Sequence, residues 1–290
     1  MARARIIRLP YCAVAKKMTS TSAPWRDALP LKISNILAFV LSTSAASVAL
    51  CRGAGIYTEH ESYVTPEAWL FALWPVIHAL LGGLCIYQFT ARGTGLVKEI
   101  LGWQMTVLLV LNAISSALAS SYSHDVRLAG FAVLFFVAGV ANHLYGEMRL
   151  TAEPGCWTDY LFVILPVSLF HSLISVLFVV GLFAIFGTDA RQNPPTTLTN
   201  IAVFVTLFVL ENAAAGYVFF ENGDIASASV ITLSLLAIAL HQQTPFIHWS
   251  AVYVRYLPAC SLSSHLLLLS APLLRRYIAH CLLPMKRRHH

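Results

Sequence analysis

The chain is a succession of long apolar runs, with almost no strict alternation of apolar and polar residues. Eight runs reach the length needed to cross a bilayer: 31–52, 66–91, 99–121, 127–146, 157–187, 197–220, 225–247 and 250–273. A hydrocarbon core about 30 Å thick takes about 20 such residues as a helix. The pattern predicts an all-α fold, a polytopic membrane helix bundle of about eight transmembrane helices. Seven is the alternative, because Arg255, Pro258 and a Ser-rich stretch interrupt the last run. Breakers mark the joints. Thr65-Pro66-Glu67 reads as a helix start with Pro at the first helical position, and Asn193-Pro194-Pro195-Thr196 as another. Glu221-Asn222-Gly223-Asp224 reads as a tight turn. Joints this short predict antiparallel neighbours.

Composition narrows the picture. Hydrophobic residues make up 58% of the 290 positions and charged residues only 11%, against about 25% charged in soluble domains. Mean hydropathy is +0.70. One membrane domain, 31–273, is expected between a basic N-terminal tail, 1–30, and a basic C-terminal tail, 274–290. The net charge of +6 resides mostly in those flanks, which fits membrane topology and anionic headgroups rather than nucleic acid. Both termini are read as cytosolic and the Arg52–Thr65 segment as lumenal, in the endoplasmic reticulum. The first span is read as an uncleaved anchor. The six cysteines show no CxxC spacing, so neither a disulfide framework nor a metal site is expected. Gly-rich phosphate loops, HExxH, GxSxG and DDxxD-like clusters are missing from the sequence, and no cofactor is expected.

Chemistry must then come from polar groups inside the spans. Glu211-Asn212 lies deep in the sixth run, where a charge costs at least about 2.5–3.5 kcal/mol. The second run aligns Trp74, His78 and Gly82, and the third Gln104, Asn112 and Ser115/Ser116. The fifth carries Ser168, His171, Ser172 and Ser175, and the seventh repeats Ser227, Ser234 and His241. One shared interior would satisfy all of them away from lipid. Each also has a plainer reading. Ser, Asn and Gln can be interhelical hydrogen-bond partners, an intramembrane His or Trp74 can simply pack, and Asp224 and the other loop acids can be solvated or capping. Glu67 reads as a first-turn acid facing the helix dipole. Glu211 stands apart, because packing rarely requires a carboxylate.

Two resemblances enter here. Thr65-Pro66-Glu67-Ala68-Trp69 through Trp74-Pro75-Val76-Ile77-His78 resembles the TP-x-x-W/Y-x-F-x-x-W-P/G-x-I pattern of TspO-like proteins. FALWPVIH (71–78), LPVSLFHS (165–172), FVLENAAAGYVF (208–219) and GDIASASVITLSLLAIALHQ (223–242) are similar to fungal membrane-bound terpene cyclases of the ascofuranone-pathway type. The second likeness implies acid-initiated cyclisation of an epoxidised prenyl chain on an aromatic substrate, in meroterpenoid biosynthesis. It carries no catalytic residues over, so burial and chemistry assign them. Glu211 would be the proton donor, oriented by His171 or Asn212, with His78 or His171 taking the final proton. Trp74, Phe71, Phe208 and Tyr217 would line an aromatic pocket that steadies positive charge, with Asn112 among the substrate contacts. The first likeness implies the alternative, a non-catalytic protein that binds or transports a lipophile. Either way the expected partners are a lipophilic small molecule and the lipid bilayer.

Overall fold

The computed structural model describes residues 26–52, 61–151, 156–187, 189–219 and 223–242. All regular structure among them is helical: α1 (Leu29–Cys51), α2 (Leu73–Tyr87), α3 (Ala91–Leu96), α4 (Gly102–Ala119), α5 (His124–Thr151), α6 (Leu165–Phe186), α7 (Thr197–Phe219) and α8 (Ile225–His241). A 3-10 turn, Ala68–Ala72, leads into α2. A π segment, Val97–Leu101, joins α3 to α4, and another, Tyr160–Ile164, runs into α6. Among the described residues, six continuous helical stretches are long and apolar enough to cross a membrane, and α8 is apolar but shorter. The expected eighth span, 250–273, lies outside the described residues, as do 1–25 of the N-terminal tail and the C-terminal tail, 274–290.

Local chemistry sets the starts and stops. Pro30 sits in the first turn of α1, where a missing N–H costs nothing. Thr90 Oγ1 accepts from Gly93 N at 3.0 Å to open α3, and Thr196 Oγ1 accepts from Thr199 N at 3.2 Å ahead of α7. Helix formation after Pro66 begins later than the Thr-Pro-Glu pattern suggests. Glu67 is the cap residue and Ala68 the first helical one.

Helix α6 is the hub. The span containing it is 56% buried, more than any other. On one side α1, α2, α4 and α5 close around it, α1 against α4, α4 against α5, and α5 against α6. Leu81, Leu101, Leu109, Leu144, Met148 and Leu173 fill that core. On the other side α8 packs on α6 and α7 packs on α8, around Val176, Val180, Leu207, Ile231 and Leu235.

Most buried hydroxyls do not bridge helices. Ser172, Ser175, Thr232 and Ser234 each donate to the carbonyl four residues back, which satisfies them within their own helix. Polar contacts that do cross include Asn112 Nδ2 to Ser42 Oγ at 2.9 Å, Thr106 Oγ1 to Asn35 Oδ1 at 2.6 Å, Ser115 Oγ to the Gly130 carbonyl at 2.9 Å, and His143 Nδ1 with Gln104 Oε1 at 3.2 Å. Such contacts contribute about 0.6–2 kcal/mol each in a membrane. Lys32, near the start of α1, is fully buried. Its ammonium donates to Thr94 Oγ1 at 2.8 Å and lies 5.3 Å from the Phe89 ring centre. Asp159 is buried too, taking Tyr87 OH at 2.6 Å and the Arg92 guanidinium at 2.8 Å.

A second buried acid docks the α7–α8 hairpin. Asp224, expected to be solvated or capping, caps α8 but is only 5% exposed. It accepts from Tyr145 OH at 2.8 Å and from the Ser227 backbone N–H at 3.1 Å, capping α8. The Ser227 hydroxyl lies 2.8 Å from Asp224 Oδ2 and 3.2 Å from the Ser168 carbonyl. One carboxylate thus ties α8 to α5 and, through Ser227, to α6.

Two stability predictions follow from these features. Gly102 holds φ 47° and ψ −150° between the π segment and α4, although an added Cβ would meet nothing within 4 Å. Gly102→Ala should therefore cost about 1–3 kcal/mol from backbone strain alone, read by reversible unfolding in mixed micelles. Asp224→Ala should cost about 2–4 kcal/mol in the same assay, and Asp224→Asn, which keeps a cap acceptor, about half of that.

Candidate ligand cavity

A partly open cavity of about 50 Å³ lies among α1, α2, α4, α5 and α6. One wall is aromatic and aliphatic, from Phe71, Trp74, Leu134, Ile174 and Leu177. The other is polar but uncharged, from Asn112, Ser115, Ser116 and Ser120. Ala46, Ala49 and Leu50 of α1 complete it. The small residues of α1 and α4 leave the space that larger side chains would fill. The volume is below the roughly 150 Å³ that holds a benzene. A space of that size has room for no more than a small group, such as a methyl-branched chain end.

The aromatic wall is held in place. Trp74 meets Phe170 edge-on, with ring centres 5.7 Å apart, and His78 at 5.4 Å. The His78 Nδ1 is 2.9 Å from the Trp74 carbonyl, one helical turn back, so this histidine is fastened to its own helix behind the wall. Its Nε2 is buried with no hydrogen-bond partner among the described residues. The polar wall is fixed by the Asn112–Ser42 and Ser115–Gly130 bonds.

The segment leading to Phe71 is clasped at several points. Ala190 N donates to the Glu61 carbonyl at 2.8 Å, and the Arg191 guanidinium pairs with the Glu61 carboxylate. Tyr63 OH donates to the Asn193 carbonyl at 2.8 Å. Burial, with nearby Asp189 adding to it, pushes the Tyr63 phenol up, so the hydroxyl keeps the proton it donates. Further on, Glu67 N donates to the Ala237 carbonyl at 3.1 Å, and the Glu67 carboxylate lies 3.6 Å from His241 Nδ1. Glu67 therefore serves as a tie to the end of α8 beyond its place at a helix start.

The structure divides the residues that sequence grouped into one interior. Phe71, Trp74 and Asn112 do converge on the cavity, with His78 directly behind Trp74. His171 and Tyr217 meet elsewhere. The His171 Nε2 and Tyr217 hydroxyl are 2.7 Å apart, and Tyr145 stacks on the imidazole with ring centres 4.3 Å apart. Phe208 and Asn212 are exposed on the outer side of α7, where Asn212 Nδ2 donates to the Phe208 carbonyl at 2.7 Å. Glu211 is half-buried and makes no hydrogen bond or ion pair with a described residue.

Helical geometry explains the division. The buried stripe of α7 is Val203, Leu207, Leu210, Ala214 and Val218, spaced by three and four residues. Each residue turns the helix by about 100°, so Glu211 borders that stripe, Asn212 faces away from it, and Tyr217 reaches the core on the other border. Sequence reasoning missed Ser42, Asn35 and Tyr145. The seven-residue spacing of Asn35 and Ser42, followed by Ala46, carried a signal for the buried face of α1. Nothing in the sequence singled out Tyr145.

No curated protein and no solved structure matches the chain. A family model described as TSPO-like protein matches residues 31–262. The likeness in the second span therefore continues along nearly the whole membrane domain, whereas no comparison supports the fungal cyclase likeness. The chain is an integral, multi-pass membrane protein and belongs to the TSPO-like family.

Proposed function

We propose that this protein binds a lipophilic small molecule within the membrane and does not transform it. The observation that carries this reading is the cavity itself. It lies inside the bundle, is walled by Phe71 and Trp74 on one side and by Asn112 and three serines on the other, and includes no ionisable side chain in its lining. Such a lining favours an uncharged ligand with an apolar end and a hydrogen-bonding group, as the TspO-like resemblance implies. Transfer of a proton from Glu211 to an epoxide draws no support from this geometry, since Glu211 touches neither histidine and lies off the cavity.

We read both termini as cytosolic and the membrane as the endoplasmic reticulum, from the basic flanks. In that orientation the cavity lies towards the lumenal leaflet, because Leu50 and Ser120 close the lumenal ends of α1 and α4.

The test is photolabelling of the purified chain in lipid nanodiscs with a diazirine-bearing prenylphenol. Label should map to peptides containing Phe71, Trp74 or Asn112. Ala46→Leu, which fills the cavity, should weaken labelling about fivefold or more, while Phe208→Ala on the outer face should leave it unchanged. Labelling indifferent to Ala46→Leu would place the ligand elsewhere. Conversion of an epoxide of the same probe to an isomer of equal mass would return the protein to the enzymes.

A further inference from the structure

We propose that Thr43 and His78 form a hydroxyl-binding subsite at the inner end of the cavity, for the alcohol end of a chain-like lipophile. The inference deepens the binding reading above and rests on it. Two stripes meet where α1 packs on α2. Phe39, Thr43, Ala46 and Leu50 recur at helical spacing on one side, and Phe71, Trp74, His78 and Gly82 on the other. The register between them is fixed at both ends. Leu50 and Phe71 line the cavity together, as do Ala46 and Trp74 one turn further in. Deeper still, the Phe39 ring centre lies 6.5 Å from that of His78, and a Cβ added to Gly82 would stand 3.3 Å from Phe39 Cζ. Between these levels the stripes leave one facing pair, Thr43 and His78. Thr43 is three residues from Val40, the middle of α1, or about 4.5 Å along the axis. Bulk water does not reach that depth.

Each of the pair carries a polar atom in need of a partner. Thr43 Oγ1 and His78 Nε2 are buried and make no hydrogen bond with a described residue. Ser34 and Ser44, on the same helix as Thr43, instead donate to the carbonyl four residues back. His78 as a whole is only 6% exposed. Its Nδ1 lies 2.9 Å from the Trp74 carbonyl. A carbonyl only accepts, so Nδ1 carries the proton and the neutral ring presents a lone pair at Nε2. The Thr43 hydroxyl can donate as well as accept. An alcohol matches both at once, donating its O–H to Nε2 and accepting from Thr43. A carbonyl or ether oxygen would engage Thr43 alone, and a charged group is costly at this depth. Ala46 and Trp74 line the cavity one turn short of the pair. A small chain end seated there brings its hydroxyl to the two atoms.

Competition against the prenylphenol photolabel in nanodiscs tests this. The competitors are farnesol and the same chain without its hydroxyl, each dosed per mole of lipid. Farnesol should compete about tenfold better in the unaltered chain. His78→Leu and, separately, the nearly isosteric Thr43→Val should reduce that preference to about threefold or less. His78→Gln, which restores an acceptor, should recover most of it. Equal competition in the unaltered chain overturns the subsite and leaves a bridging water, or another segment of the chain, as the partner of the two atoms. A tenfold preference that survives both variants overturns it too, and assigns the hydroxyl to the wall of Asn112 and the serines. In either case, labelling that Ala46→Leu weakens keeps the binding reading intact. Labelling indifferent to Ala46→Leu overturns that reading and this inference with it.

Discussion

Inside a bilayer no water is available to satisfy a polar group, so each one must be satisfied by the protein itself. This constraint orders the whole molecule. Backbone groups meet it by forming helices. Buried hydroxyls meet it chiefly within their own helix, as Ser172, Ser175, Thr232 and Ser234 do. Side chains that cannot be satisfied locally become the contacts that hold helices in register. Asn112 reaches Ser42, Thr106 reaches Asn35, and Asp224 gathers Tyr145 and Ser227. These few contacts decide which helix faces meet, while the apolar core supplies close packing without direction.

The same constraint accounts for the two-sided arrangement about α6. Its burial on nearly all faces demands apolar residues all round, and the stretch from Leu165 to Phe186 provides them with Ser168, His171, Ser172 and Ser175 as the polar minority. One side of α6 meets the helices that enclose the cavity, and the other meets α8. Ser168 touches both halves of the problem, since its carbonyl takes the Ser172 hydroxyl from within the helix and lies within reach of Ser227 from α8. The α7–α8 hairpin is thus attached through a polar joint beside the cavity-forming helices, and Tyr217 on α7 extends that joint to His171.

The helical architecture was legible because twenty apolar residues in a row admit few other readings. Boundaries shifted where a π segment or a 3-10 turn extended or delayed a helix, as at Val97–Leu101 and Ala68–Ala72, and where a helix ran past its apolar core, as α5 does at His124–Thr151 against the expected 127–146. Part of the cavity was legible as well, since Phe71, Trp74 and Asn112 lie on faces marked by aromatic and polar spacing. The grouping of Glu211 with the histidines was not legible. That step required knowing which face of α7 is turned inward, and an almost uniformly apolar helix does not show it. Leu207 and Leu210 face the protein while Phe208 and Val209 face out, and no difference in hydrophobicity separates the two sets. Asp224 was read as solvated or capping; the cap is there, and its burial was not legible for a related reason. A turn sequence predicts the turn, but it does not predict that Tyr145 from a distant helix will cover it.

The separation of charge from cavity bears directly on chemistry. An acid that protonates an epoxide must lie within hydrogen-bond reach of the oxygen. The cavity wall offers hydroxyls and a carboxamide, groups that orient a ligand and exchange hydrogen bonds but do not supply a proton near neutral pH. Its aromatic wall is fixed by Phe170 and by a histidine tied to its own helix. Nothing that lines the space titrates near neutrality, and two cross-helix bonds hold its polar wall rigid. A site of this kind discriminates by shape and by the position of one or two hydrogen bonds, which is what the proposed binding of an uncharged lipophile requires.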